Sequence, residues 1–548
     1  MALRIIPAMR DALHRLILGL ALAVSWTAGG IAAPAVATAT ATATATGWNM
    51  PEAERTIAFG FTAIVERHLQ PVTAASIAID GLRGLAEIDP QLAVVVQGDR
   101  VRLSTSDKVV ADLPQPEQND ADGWAHLVLT AAQGARDASP PLRDADIEQV
   151  YQAVFEGALG KADVYSRYAG AKEAREHRAS RNGFGGIGIK FDLIDDEPRI
   201  VEVIEDTPAA KAGLKLGDVI TVIEGQTVRG MDRNDISNRL RGAVASDLTM
   251  AIRRGAEPLV VTLRRSLIVP RTVSMTINGS IAEFKITSFN QRTAYSLENQ
   301  LKDARNRLGN GLQGVVLDLR GNPGGLLDKA VAVVDLFVAD GPILSTRGRH
   351  PDSGNAFEAR PGDIGEDLPV AVLVDGRSAS AAEIVASALQ DAGRAVIIGS
   401  NSFGKGTVQT VIRLPNDGEI TLTWSRFHTP SGYALHGLGV LPTLCTSGAE
   451  SSPATLLDGL TRPAQAHKLT ETLAVWRRAG LEESELRQKL RDTCPPTRRS
   501  EIHSDLELAE KLLANRALYA RAISLSSPSR TLQAEQPRQG AEAQQGQH

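Results

Sequence analysis

The stretch from Ala371 to Gln409, AVLVDGRSASAAEIVASALQDAGRAVIIGSNSFGKGTVQ, constrains this chain more than any other. AVLVD is a short apolar run of strand type, RSAS turns, and AAEIVASALQDAG carries apolar residues at helical spacing; AVIIG is a second buried strand and SNSFGKG a glycine-flanked loop. A strand-helix-strand unit returns its second strand parallel to the first. The turn before the helix and the loop after the second strand therefore emerge at one edge of a sheet. Ser380 and Lys405 stand on these two segments and pair as nucleophile and base. Either Ser378 or Ser380 caps the helix, because a side-chain oxygen there satisfies an orphan N–H, and the other hydroxyl is then free for chemistry. Lys405 as a solvated loop charge is the alternative. FGKG favours a packed site, since an apolar neighbour and two glycines let the backbone carry the ammonium inward, where desolvation lowers its pKa.

The segment resembles the C-terminal processing, or tail-specific, proteases, which use a Ser/Lys dyad. In their pattern a serine in S-A-S-x-x-E is followed by a lysine in F-G-K-G and a glutamine four residues later, here Ser380, Lys405 and Gln409. The resemblance implies that Ser380 attacks the scissile carbonyl, that Lys405 takes its proton, and that Gln409 orients the lysine by hydrogen bonding. Ala382 departs from the pattern, since many members carry a third serine there. Glu383, one turn after Ser380, is expected to support the helix N-terminus or a buried ion pair. Gly314 to Phe337, GVVLDLRGNPGGLLDKAVAVVDLF, reads as an apolar strand, a glycine-rich turn and a helix. Its glycines do not spell either phosphate-binding signature. DLRGNPGG matches a second motif of the family, which assigns it to the oxyanion hole; Gly324 or Gly325, with the N–H of Ala381, are the candidates.

From Phe184 to about Ile268 the order FGGIGI, TPAAKAGLKLGDVI, IEGQTV resembles a PDZ domain. Such domains add a peptide to a sheet edge and hold its terminal carboxylate on backbone N–H groups. The resemblance places Gly185, Gly186, Ile187, Gly188 and Ile189 in the carboxylate loop, with Leu240 and its neighbours in NDISNRLRG lining the groove.

The first residues, with arginines, the short apolar LILGLALAVSW and the small-residue GGIAAPAVATA, read as a signal peptide cleaved after Ala33 or Ala37, with a short uncleaved anchor as the alternative. TATATATATG is a flexible tether. A net charge of -5 gives no basis for nucleic-acid binding. In an exported chain Cys445 and Cys494 are expected to pair as a disulfide rather than hold a metal, because no Cys/His cluster surrounds them.

The expected architecture is multidomain α/β: a signal peptide (1–37), a tether (38–47), a mostly helical region (48–182) with a hairpin in LAVVVQGDRVRLSTS, a β-rich PDZ domain (183–268), an α/β serine-protease core (269–445), a helical C-terminal region (446–526) and a polar, disordered tail (527–548). The expected function is an exported, periplasmic serine endopeptidase that needs no cofactor or metal. It would cleave polypeptides selected by their free C-termini, alone or with an adaptor protein. Homo-oligomerisation is left open, and membrane association would come only through an uncleaved N-terminus. Two alternatives stand beside this reading. One is an inactive PDZ peptide-binding scaffold; the other is a Ser/His/Asp hydrolase with His428 or His436 as base, against which no G-x-S-x-G elbow surrounds Ser380.

Overall fold

The computed structural model describes residues 47–528 apart from 107, 366–367, 448–451 and 500–501, all within one compact unit. The expected signal peptide, the tether up to residue 46 and the tail from 529 onward lie outside the described residues.

The site is carried by a six-stranded sheet in the order Val273–Asn278, Ile281–Ile286, Gly314–Asp318, Val370–Val374, Ala395–Gly399 and Leu444–Cys445. Its first two strands form an antiparallel hairpin; every later junction is parallel. The central strands are buried on both faces, which is why they read as unbroken apolar runs. Val370, Val372 and Val374 face the helices Thr293–Leu308, Leu327–Asp335 and Ala381–Asp391. Ala371 and Leu373 face the opposite layer, made by Pro453–Thr461, His503–Leu513 and Arg516–Ser526. Three helices of the C-terminal region thus form the third layer on this sheet, while Leu473 and Trp476 of Pro463–Arg478 and Leu490 of Ser484–Arg491 pack into the core on the first face. The segment TPSGYALHGLGVLPTLC joins the ladder only at its end, Leu444–Cys445.

A second sheet, in the order Asn355–Glu358, Pro342–Gly348, Glu419–His428 and Thr407–Arg413, brings Gln409 to the site, and Arg167–Ala169 adds to it beside Glu419–Thr421. Ile412, Leu414, Ile420 and Leu422 of this hairpin share a core with Phe61, Trp124 and Phe155 of the N-terminal region. That region is five helices between Met50 and Gly160 and an antiparallel sheet. The expected hairpin is present as Leu92–Gln97 and Arg100–Thr105, joined by an unforeseen third strand, Lys108–Pro114.

Phe184–Gly186 pairs with Ser266–Ile268, so the segment between them leaves and re-enters the chain at one ladder. Within it the strands Glu257–Arg264, Asp247–Arg254, Val219–Ile223, Glu197–Val203 and Ile189–Ile194 follow in that order, and Ile189–Ile194 is an edge. Ile236 and Leu240 of the helix Arg233–Leu240 close the core with Ile187 and Phe191.

Candidate active site

The turn between Val374 and the helix Ala381–Asp391 is built on Asp375, whose Oδ1 accepts the N–H groups of Gly321, Arg377 and Ser378. Ser378 is fully buried; its hydroxyl donates to the Leu319 carbonyl at 2.9 Å and accepts the Asp375 N–H at 2.9 Å. The expectation that the hydroxyl of the non-capping serine is the free one is corrected: that hydroxyl, on Ser378, is consumed by Leu319 and Asp375, whereas Ser380 takes the N-cap position, at φ 53° and ψ −114°. A non-glycine residue held there costs on the order of 1–3 kcal/mol, and such strain concentrates at functional positions.

Glu383 fixes both halves of the site. It is fully buried, and its Oε2 accepts the N–H of Ser380 at 2.8 Å and the N–H of Lys405 at 2.9 Å. Its Oε1 accepts from the Gly404 N–H and the Ser402 hydroxyl. Of the two supporting roles expected for Glu383, the first is the one seen: it serves the helix end, and its hydrogen-bond donors include no cation. Burial raises its pKa, with the four donors opposing. Ala382 is buried in the core, so its departure from the family pattern falls away from both groups.

Lys405 is partly buried, with its ammonium 4.9 Å from the centre of the Tyr165 ring. Burial lowers its pKa and Arg167 adds to the effect, while Asp163 and Glu383 oppose it. Gln409 turns its amide nitrogen to the hydroxyls of Thr407, at 2.9 Å, and Thr423, at 3.4 Å. Thr423 in turn donates to Asp163 at 3.0 Å. Gln409 is expected to orient the lysine by a hydrogen bond of its own; its side-chain bonds run instead to these threonines and not to Lys405. Of the two histidines named as alternative bases, His428 lies near the Gly432 carbonyl at 3.4 Å, and His436 stands edge-on to Tyr165 at 6.0 Å. Burial lowers the pKa of both.

The glycine-rich turn lies directly against Ser380. At Gly324, φ 103°, a side chain would meet Cβ of Ser380 at 2.9 Å and the Ala381 nitrogen at 3.0 Å, so only glycine fits. The Gly324 N–H is held by Asn322 Oδ1 at 2.8 Å; serving an oxyanion would require it to leave that partner. Ala381 opens its helix, where N–H groups have no intrahelical acceptor. The sequence reading missed Asn322, which is fully buried, donates to the Ile286 carbonyl and accepts the Ala379 N–H on its own carbonyl. It missed too the buried Asp318, on which Lys285 and Arg320 converge. These polar groups lie inside motifs whose glycines attract attention first.

Cys445 and Cys494 are joined by a disulfide. Just beyond Cys494, the Thr497 carbonyl accepts the Gly376 N–H, and the Arg499 N–H donates to Asp375, so this segment braces the serine turn. Among the described residues no group of three or more His, Cys, Asp and Glu is placed to hold a metal ion, and no helix is long and apolar enough to cross a membrane.

In the PDZ-like segment a cavity of about 230 Å³ lies between the edge strand and the helix, lined by Gly186, Ile187, Gly188, Ile189 and Leu240, with Arg241 and Arg271 at its margin. Gly185 is the exception among the expected groove residues. It sits behind the groove, packed so closely on Gly242 that a side chain would meet the Gly242 carbonyl at 2.1 Å. The carbonyls of Gly185, Ile187 and Gly188 accept N–H groups from Gly242, Ala209 and Ile204.

Residues 280–445 match the family described as Peptidase family S41, and residues 185–264 match the PDZ domain. The carboxy-terminal-processing protease of Bartonella bacilliformis is 40% identical over 303 residues, 55% of this chain and 70% of that protein. A probable CtpA-like serine protease of Staphylococcus aureus is 30% identical over 301 residues, 54% of this chain and 60% of the relative. Among solved structures, the photosystem II D1 C-terminal processing protease aligns over 67% of this chain and 92% of its own, at 24% identity and a TM-score of 0.34.

Proposed function

The chain belongs to the carboxy-terminal-processing proteases of Peptidase family S41, and from that premise we propose that it is an exported serine endopeptidase working through Ser380 and Lys405. The observation that carries this reading is the single carboxylate oxygen of Glu383 that holds the backbone of both residues. A serine hydroxyl is a weak nucleophile until a base accepts its proton, and a lysine can accept one only when neutral. Burial of Lys405 favours the neutral amine. Proton transfer to Lys405 frees the Ser380 oxygen to attack the scissile carbonyl, and the oxyanion that forms needs donors already in place. The Ala381 N–H and that of Gly325 are assigned that task, since the Gly324 N–H is engaged by Asn322, and Gln409 ties Thr407 to Thr423 on the strands that follow the lysine loop.

Substrate selection is assigned to the PDZ groove. Ile189–Ile194 offers an edge for an added strand, and the loop from Gly186 to Ile189 turns its carbonyls inward to Ile204 and Ala209, leaving its amide edge as the carboxylate seat. Arg241 and Arg271 add positive charge at the margin. The preferred substrate is an unfolded polypeptide with a free, apolar C-terminus.

The test is turnover of an unfolded polypeptide by purified protein. Ser380→Ala and Lys405→Ala should each abolish it with folding intact, and the double variant should lose no more than either single one, since the two groups act as a unit. Turnover retained by Lys405→Ala and lost in His436→Ala would move the base to the histidine.

A further inference from the structure

The ring of Tyr165 lies under Lys405 with the ammonium nitrogen 4.9 Å from its centre, within the range of a cation–π contact. Tyr165 stands 240 positions before the lysine in sequence, so its place there is set by other contacts. Asp163 supplies them. Its Oδ1 accepts the N–H of Tyr165 at 2.7 Å and of Ser166 at 2.9 Å, which closes a tight turn around the tyrosine. Its Oδ2 meets Nε2 of His68, a residue only 1% exposed, at 2.9 Å, and accepts the Ser166 hydroxyl. Thr423 fastens the same carboxylate to the strand next to Gln409.

We propose that the face of Tyr165 stabilises the ammonium that Lys405 becomes when it accepts the serine proton, and that Asp163, braced by His68, is the positioning residue for that ring. The inference rests on Lys405 being the base. In the step concerned the Ser380 O–H bond breaks and an N–H bond forms on Lys405, while the oxygen's electron pair forms the new bond to the carbonyl carbon and the carbonyl π pair moves onto its oxygen, giving the oxyanion. A neutral amine gains little from the negative face of an aromatic ring, whereas an ammonium is attracted to it. The contact is therefore stronger in the transition state than in the ground state, the condition for an interaction to raise kcat rather than only lower KM. The phenol itself stays un-ionised, because burial and the nearby charges of Glu383 and Asp163 raise its pKa. Three charged groups act on Lys405 besides the ring: Arg167, which disfavours the ammonium, and Asp163 and Glu383, which favour it. The imidazole of His436 is the other ring beside the phenol, with its centre 6.0 Å away and its plane at 77° to it.

Full-length Tyr165→Leu keeps an apolar wall beside the amine and removes the ring quadrupole. Turnover measured across pH should show kcat lowered roughly 3- to 30-fold with KM little changed, and the acid limb moved to lower pH by about 0.5 to 1.5 units. Tyr165→Phe, which keeps the ring face, should recover most of the loss. Tyr165→Ala, which admits water to the amine, should move the limb the other way. A merely structural residue would not move the limb in opposite directions. Tyr165→Met makes the same comparison should the leucine variant fail to fold. Wild-type kcat and an unmoved limb in a folded Tyr165→Leu or Tyr165→Met protein would overturn the proposal. The second measurement does not depend on turnover: the pKa of the Lys405 amine, from pH-dependent acylation and peptide mass spectrometry in a Ser380→Ala background. It should fall when Tyr165→Leu is added. An unchanged pKa beside an inactive Lys405→Ala removes the ring alone, whereas an active Lys405→Ala removes the lysine base and the ring's catalytic part with it.

Discussion

Glu383 illustrates how much one side chain decides at this site. It accepts from two backbone N–H groups of the lysine loop, one of the serine turn and the Ser402 hydroxyl, all in a fully buried setting. Removing the acceptor leaves buried donors unpaired, at about 1–3 kcal/mol each where water cannot reach them. Glu383→Ala should therefore unfold at clearly lower denaturant concentration and lose kcat more than KM; a midpoint equal to wild type would show that the four bonds contribute nothing net. With Lys405 as the proposed base, the pH dependence of turnover is expected to follow its amine. Burial, then Arg167, hold its pKa below the ~10.4 of an exposed lysine, and only the neutral form accepts a proton. Activity should accordingly fall as pH drops through that depressed value. His428 and His436 are pushed below the ordinary ~6.5 of histidine, so an acid limb lying above about pH 6.5 would point to the lysine and one below it to a histidine. The serine and lysine were legible because small residues and glycines crowd around them; Glu383 was legible only as a supporting group, and Tyr165 not at all, since nothing local marks a ring that acts across 240 positions.

At the scale of elements, the parallel return of Ala395–Gly399 on Val370–Val374 is what brings the serine turn and the lysine loop to one sheet edge. Its apolar runs and glycine punctuation made this unit readable. The hairpin Thr407–Arg413 and Glu419–His428 was less so, because its inner face is completed by helices from the far end of the chain. The C-terminal bracing is another such element. The Cys445–Cys494 bridge spans 49 residues and ends three residues before Thr497, whose carbonyl holds the serine turn through Gly376. Closing a loop of that length is worth about 4 kcal/mol in the chain-entropy picture. Reduction, or a Cys445→Ser/Cys494→Ser variant, should lower stability by a few kcal/mol and reduce turnover along with it. Equal denaturation midpoints with and without reductant would show that the bridge is dispensable.

At the scale of the whole molecule, the six-stranded sheet is covered on one face by helices of its own segment joined by Pro463–Arg478 and Ser484–Arg491, and on the other by Pro453–Thr461, His503–Leu513 and Arg516–Ser526, while the N-terminal helices complete the wall behind Gln409. The PDZ segment closes on its own ladder at Phe184–Gly186 and Ser266–Ile268 and presents its groove separately. In a full-length Ser380→Ala protein, a peptide with an apolar free C-terminus should bind at least about tenfold more tightly than its C-terminal amide, because amidation removes a charge and an acceptor oxygen. Equal affinity would leave the groove without a carboxylate seat. The sequence by itself determined the strand-helix-strand unit, the two glycine-rich turns and the candidate nucleophile and base, because each is a local pattern of periodicity, breakers and spacing, and the PDZ-like order was legible through its resemblance to that family. Only the tertiary structure decided which helices cover the second face of the sheet, that Ser378 is spent on Leu319 while Ser380 stands strained at the helix start, that Asn322 holds Gly324, and that Asp163 and Tyr165 wall in Lys405. The first and last of those outcomes depend on contacts between segments distant in the chain, and the other two on which polar group finds which buried partner, and neither kind leaves a periodic trace in the sequence.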